Sequence, residues 1–188
     1  MCSSSTVRRG ARKQNLPLPM ARGMMSLDGA TWSQEAKLTA GDSNDGFGTH
    51  VSLSGRRALV SAVGDSDNGL ESGAAYVFAF DGTTWNQQAK LTASDEEAGD
   101  SFGTSVALLG TRALVGAIHN DSDGIGAAYL FGSNGTMWTE RAKLSAADAT
   151  TGDYFGVSVS LSGPRALVGA NQGGLISGPP GAAYVFGR

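Results

Sequence analysis

The sequence predicts an all-β chain: a β-propeller-type array of about three four-stranded antiparallel blades, incomplete or completed by oligomerisation. Three observations predict it. One string of landmarks is written three times, apolar residues between the landmarks alternate close to period two, and glycine-bearing turn signals recur where four strands per copy need them.

The landmarks begin with Trp32, Trp85 and Trp138, 53 residues apart each time. Ala36-Lys37-Leu38 recurs as Ala89-Lys90-Leu91 and Ala142-Lys143-Leu144, and Phe47-Gly48 as Phe102-Gly103 and Phe155-Gly156. Gly73-Ala74-Ala75-Tyr76 recurs as Gly126-Ala127-Ala128-Tyr129 and Gly181-Ala182-Ala183-Tyr184. Spacing varies only between landmarks: Trp to Phe is 15, 17 and 17 residues. The variable gaps are loops and the landmarks are structure.

In the second copy the strands are predicted at Trp85–Thr92, Gly103–Leu109, Arg112–Ala117 and Gly126–Phe131. The middle two are joined by Leu109-Gly110-Thr111, matched by Ser54-Gly55-Arg56 and Ser162-Gly163-Pro164, where glycine supplies positive φ for a hairpin. Asp28-Gly29, Asp81-Gly82 and Asn134-Gly135 place another turn before each tryptophan. A sandwich has no reason to repeat its own sequence, whereas blades do. Gly116-Ala117, Gly169-Ala170 and the variant Ser61-Ala62, with each Gly-Ala-Ala, are small enough to let blades approach closely. The Phe and Tyr landmarks then fill the space between blades.

Composition narrows the function classes. Of 188 residues 28 are glycine and 16 % are charged, with a net charge of −3, so no basic field is available for nucleic acid. No run nears the roughly 18 apolar residues of a membrane span. The single cysteine, Cys2, excludes an internal disulfide framework and a paired-cysteine zinc site. Residues 1–27 hold no Asp or Glu but carry Arg8, Arg9, Arg12, Lys13 and Arg22, and Pro17 and Pro19 break their apolar stretch. They lack the h-region of a secretory signal and read as a leader or disordered segment, or a transit peptide. Residues 28–188 form the repeat domain, with copies at about 28–80, 81–133 and 134–188.

These motifs resemble the FG-GAP repeats of integrin α-chain propellers, and most closely those with a Trp…Lys-Leu strand and a Gly-Ala-Tyr-Val-Phe strand. The resemblance covers about residues 27–187. It implies that the Phe-Gly strand is innermost and the Trp strand outermost. The chain would then open with an outer strand at Trp32–Thr39, hold twelve strands in all, and be cut so that the first completes the last sheet. Three blades are fewer than the 4–8 of closed propellers. Two chains pairing into six blades, an open arc or fragment of a longer array, and a truncated gene model all meet that shortfall. Met20–Leu27 does not resemble the Gly-Ala-Ala-Tyr strand expected there, which favours the fragment readings.

Integrin-type repeats often carry an Asp-x-Asp-x-Asp-Gly calcium loop between the first two strands. Here that turn has no carboxylate, so those residues do not carry over. Acidic clusters fall one loop later, at Asp65-Ser66-Asp67-Asn68-Gly69 and Asn120-Asp121-Ser122-Asp123-Gly124. Asp65, Asp67, Asp121 and Asp123 read either as oxygen ligands for Ca²⁺ or as solvated turn residues, and the third copy, Asn171-Gln172-Gly173-Gly174, lacks carboxylates. No other cofactor is expected.

Charges that recur in every copy read as scaffold. Asp42, Asp95 and Asp148 follow the lysines; Asp45, Asp100 and Asp153 precede Phe47, Phe102 and Phe155; Arg57, Arg112 and Arg165 open Arg-Ala-Leu-Val. The aspartates are expected to fix the loop into the inner strand, with the arginines as candidate partners. The alternative is a repeated polar face for a ligand. The tryptophans read as blade packing, with sugar stacking the alternative. His50 and His119 have no histidine counterpart in the other copies, and no catalytic triad follows from their spacing. The chain is therefore expected to be a non-catalytic binding module for a protein or carbohydrate. Its alternatives are a glycan-binding lectin or an accessory fragment of a larger surface enzyme or adhesin. The resemblance implies an extracellular or cell-surface setting, and a homodimer or longer array as its assembly.

Overall fold

The structure, a computed structural model, describes residues 31–40, 44–120, 124–171 and 180–187. Two compact units divide the chain, Met1–Glu35 and Ala36–Arg188. Within the first, residues 31–35 are described and have no regular secondary structure, with Trp32 exposed. The expected leader and the Asp28-Gly29 turn lie outside the described residues.

The second unit is all-β among its described residues. Its strands are β1 Phe47–Ser54, β2 Arg57–Ala62, β3 Ala74–Phe80, β4 Trp85–Leu91, β5 Phe102–Leu109, β6 Arg112–Ala117, β7 Ala127–Ser133, β8 Trp138–Leu144, β9 Ser158–Ser162, β10 Arg165–Ala170 and β11 Ala182–Phe186. They form three antiparallel sheets in the orders β1-β2-β3-β4, β5-β6-β7-β8 and β11-β10-β9. The second-copy predictions match these strands to within two residues at each end. β1–β2, β5–β6 and β9–β10 turn on Gly55, Gly110 and Gly163, which have φ of 57°, 59° and 50°.

One predicted strand does not form. Residues 31–40 belong to no sheet, and the third sheet has three strands among the described residues. The reason lies in the pairing. Each Trp-Lys-Leu strand bonds to the third strand of the preceding sheet, β4 to β3 and β8 to β7, and no described sheet precedes residue 31. The covalent repeat and the hydrogen-bonded sheet are thus out of phase by one strand.

β5 lies between β1 and β9, so the Phe-Gly strands are innermost and adjacent. Each seam has its own core. Leu59, Ala75 and Val77 of the first sheet meet Phe102, Val115 and Tyr129 of the second. Leu114 and Ala128 of the second meet Phe155 and Val168 of the third. A third cluster, Val60, Tyr76 and Phe78 with Phe47, Leu38 and Ala40, covers the first sheet's outer face. Leu38-Ala40 therefore anchors the start of this unit as Leu91-Ala93 and Leu144-Ala146 anchor the next two blades.

Candidate functional site

The thrice-written Phe-Gly is a plug and the small residues are its socket. Phe102 and Phe155 are fully buried. The Phe102 amide donates to the Ser72 carbonyl at 2.8 Å, and that of Phe155 to Ile125 at 2.9 Å. A Cβ on Gly73 would stand 2.1 Å from the Phe102 oxygen, and one on Gly126 would stand 2.2 Å from that of Phe155. The glycine after each phenylalanine has φ of 94°, 97° and 97°, and after Phe47 and Phe102 the strand bulges as it leaves. The Gly-Ala dipeptides work at the same seam: Gly116 touches the Gly156 carbonyl, which also accepts the Ser105 hydroxyl at 2.6 Å.

A second recurring arrangement joins Tyr, Asp and Lys. Tyr129 and Lys143 are cross-strand partners, and the Tyr129 hydroxyl (2.7 Å) and the Lys143 ammonium (2.8 Å) both donate to Asp95. In the first sheet Tyr76 and Lys90 are partners, and both donate to the buried Asp65, at 2.9 and 2.8 Å. The third sheet has half the set: Tyr184 donates to Asp148 at 3.0 Å. Burial works to raise the Asp65 and Asp95 pKa values, but bonds from Lys90 and Tyr76, and from Lys143 and Tyr129, hold both below the usual carboxylate range. Burial, then Asp65, pushes the Tyr76 hydroxyl up to about 12; burial and Asp95 push Tyr129 further in the same direction.

The Asp65-Asp67 pair is arranged around that ammonium. Lys90 Nζ stands 2.8 Å from Asp65 and 2.6 Å from Asp67, so a calcium ion would have to displace a cation already held. These donors do not fit Ca²⁺, which takes six to eight oxygens. Among the described residues no three His, Cys, Asp or Glu side chains are grouped to hold a metal. Asp121 and Asp123, and Asp42, lie outside the described residues.

The aspartates before the phenylalanines fold their own loops. Buried Asp100 accepts from the Glu97 amide (2.9 Å) and Asn120 (3.0 Å); buried Asp153 accepts from the Thr150 amide (2.7 Å) and hydroxyl (2.9 Å). The Asp45 carbonyl accepts from Gly64. Arg112 reaches across to the Gly163 carbonyl in the next sheet's hairpin, the buried Nε of Arg57 has no hydrogen-bond partner, and Arg165 lies exposed at the start of β10. Trp138 packs into the first seam and donates to Gln88 at 3.0 Å; Trp85 lies against Phe80 at 5.4 Å. Sequence reasoning missed the Tyr-Asp-Lys sets, although tyrosine, lysine and the Asp95–Asp148 pair recur in register; Asp65 aligns with Asn120 instead.

Where the copies differ, the loops gather at one end of the sheets. The β2–β3 loop is zipped to the loop entering the next sheet by Gly99-to-Leu70 and Ser101-to-Glu71 backbone bonds of 2.8 and 3.2 Å and by Asn68 to Glu96 at 2.9 Å. At the next seam Tyr154 bonds Gly124 at 2.9 Å, and exposed His119 stands edge-on to the Tyr154 ring, 3.2 Å from the Ser101 hydroxyl. Leu70 is 74 % exposed on this rim. His50 lies on exposed β1 backbone, its amide bonded to Ser61.

Repeated four-stranded sheets whose innermost strands are adjacent and whose seams are plugged by Phe-Gly define a propeller-like repeat protein. The sequence model of the FG-GAP repeat matches residues 32–78, 85–131 and 138–186. The chain belongs to the FG-GAP repeat family. Among curated proteins none matches it. No helix among the described residues is long and apolar enough to cross a membrane.

Proposed function

We propose that this chain is a non-catalytic binding module that presents the rim of loops to a protein or carbohydrate ligand in an extracellular or cell-surface setting. The setting rests on the family resemblance. One observation carries the binding reading: the tyrosines and described aspartates shared by the copies hold sheets and loops together, while side chains that differ between copies project from one zipped rim. Leu70, Asn68, Glu71 and His119 give that rim mixed apolar and polar character, which suits recognition through loops fixed on a rigid scaffold.

The test is a binding screen of the folded chain against a glycan array and a panel of secreted and cell-surface protein domains, with each hit remeasured using Leu70→Asp and His119→Ala. Binding lost in either variant at unchanged melting temperature supports the rim. Hits indifferent to both variants, or no hit in either panel, would overturn it. The tryptophans give the sugar-stacking alternative little support, since Trp85 and Trp138 are engaged with Phe80 and Gln88.

A further inference from the structure

Among the described residues the third sheet leaves three needs unmet, and one segment of the chain has the chemistry to meet all three. Among the described residues β11 is bonded to β10 alone, with Val185 66 % exposed. Beside it a cleft of about 650 Å³ opens between the second and third sheets, lined by Leu130, Phe131, Arg141, Leu144, Ala166 and Phe186 among others. Shifted back by one repeat, five of those positions are Val77, Leu91, Ala113 and Phe131, of the core that Trp138 packs against in the first seam, and Gln88, which accepts its indole N–H. The cleft is thus a tryptophan socket of the second seam. The third need is charge: Asp148 has its tyrosine, Tyr184, but not the lysine that Asp95 and Asp65 hold.

Residues 32–38 carry the matching Trp32, Lys37 and Leu38 at the spacing of β4 and β8, belong to no strand, and expose Trp32 by 78 % and Lys37 as well. We propose that residues 32–38 of a second copy add as the fourth strand of the third sheet, antiparallel to β11. Trp32 then enters the cleft beside the Arg141 guanidinium, an indole–cation contact, and Lys37 completes the Tyr184–Asp148 set. Two further surfaces join on the same approach. Half-buried Phe47 of the incoming copy faces the exposed Leu167 and the Gly169 and Gly181 cradle, as Phe155-Gly156 meets Leu114, Gly116 and Gly126 inside the chain. The junction is head to tail, and two such junctions between two copies close six blades, within the 4–8 that propellers use. This pairing concerns the ends of the array and is independent of the rim.

The pairing register is transferable. Val77 faces Ala89 and Leu130 faces Ala142, so Val185 is to face Ala36 of the other copy. With Cys2 replaced by serine, the Val185→Cys/Ala36→Cys protein is expected to form a disulfide between copies on mild oxidation, whereas Val185→Cys/Ser33→Cys is not. Analytical ultracentrifugation is expected to show a concentration-dependent dimer. Trp32→Ala should weaken it on the order of thirtyfold, as loss of a central aromatic anchor does, without changing the melting temperature of the dilute monomer. Trp32 emission should shift to shorter wavelength as dimer forms, read in a Trp85→Phe/Trp138→Phe background confirmed as folded by circular dichroism. A monomer at every concentration, a disulfide formed within one copy, or a dimer indifferent to Trp32→Ala would each overturn the proposal.

Discussion

Gly126 and Gly181 occupy the same place in the repeated sequence and different places in the packing, which makes them a test of what the landmark glycines do. Gly126 has φ of 82° and no room for a Cβ, which would meet the Phe155 oxygen at 2.2 Å; Gly181 has its nearest such atom, the Ala170 oxygen, at 2.9 Å. Gly126→Ala is therefore expected to cost about 3 kcal/mol, from backbone strain and the displaced phenylalanine, and Gly181→Ala clearly less. Urea titration of the two variants measures the difference. Lys90 gives a second residue-scale test. Asp65 is buried, so Lys90→Met leaves a carboxylate without its cation and costs roughly 3 kcal/mol at pH 7. In the native protein the Asp65 pKa is lowered, so its contribution is present above the unfolded value near 4 and fades as pH falls through the folded one. In the variant burial acts with less opposition and moves that pKa up, so protonation relieves the penalty. The stability gap between variant and native protein should narrow from pH 7 to pH 4. A constant gap would mean that Lys90 acts through its packing alone. Tyr76 has the opposite sign: with its pKa raised to about 12, it stabilises the fold below its unfolded value near 10, and that support is lost as pH rises toward 12.

At the scale of the element, the contrast between Phe102 and Phe47 separates what a strand contributes alone from what its neighbour adds. Phe102 is fully buried against the preceding sheet, while Phe47 occupies the same place in its own sheet with no described sheet before it. Phe102→Ala is expected to lose about 4 kcal/mol and Phe47→Ala around half of that, measured by chemical denaturation. The strand bounds of the second copy were legible in the sequence because alternation, a hairpin glycine and a fixed period all agree there. The small-residue socket was legible for the same reason, since three copies of Gly-Ala-Ala have no other use. Trp32–Thr39 was misread because local pattern marks a strand but cannot supply its partner, and pairing is what makes the strand. The Asp-Tyr-Lys sets were missed because their members lie 11 to 48 residues apart, in loops and strands that meet only in the folded sheets. Arginine was the expected partner of the aspartates; the cross-strand register of Tyr129 with Lys143 brings lysine to Asp95 instead.

At the scale of the whole molecule, the three described sheets of Ala36–Arg188 have unlike neighbours, and stability is expected to be distributed accordingly. In a repeat array each blade draws on its own fold and on the seams it shares. The second sheet has two seams, through Phe102 on one side and Phe155 on the other, and β6 is buried along nearly its whole length. The third sheet has one described seam and three described strands, and alternates between buried and exposed residues along β10. The first sheet also has one described seam but keeps four strands and the Tyr76–Asp65–Lys90 set. Native-state hydrogen exchange should therefore rank the amides of β5 to β7 slowest, those of β2 and β3 next, and those of β9 to β11 fastest. The measurement belongs at low protein concentration, where end-to-end pairing is absent. As concentration rises, β10 and β11 should gain protection toward that of β6 and β7 if copies pair through the third sheet, while the β5 to β7 rates change little. Uniform exchange across all three sheets would instead describe one cooperative core, and the seams would then not be the units of stability.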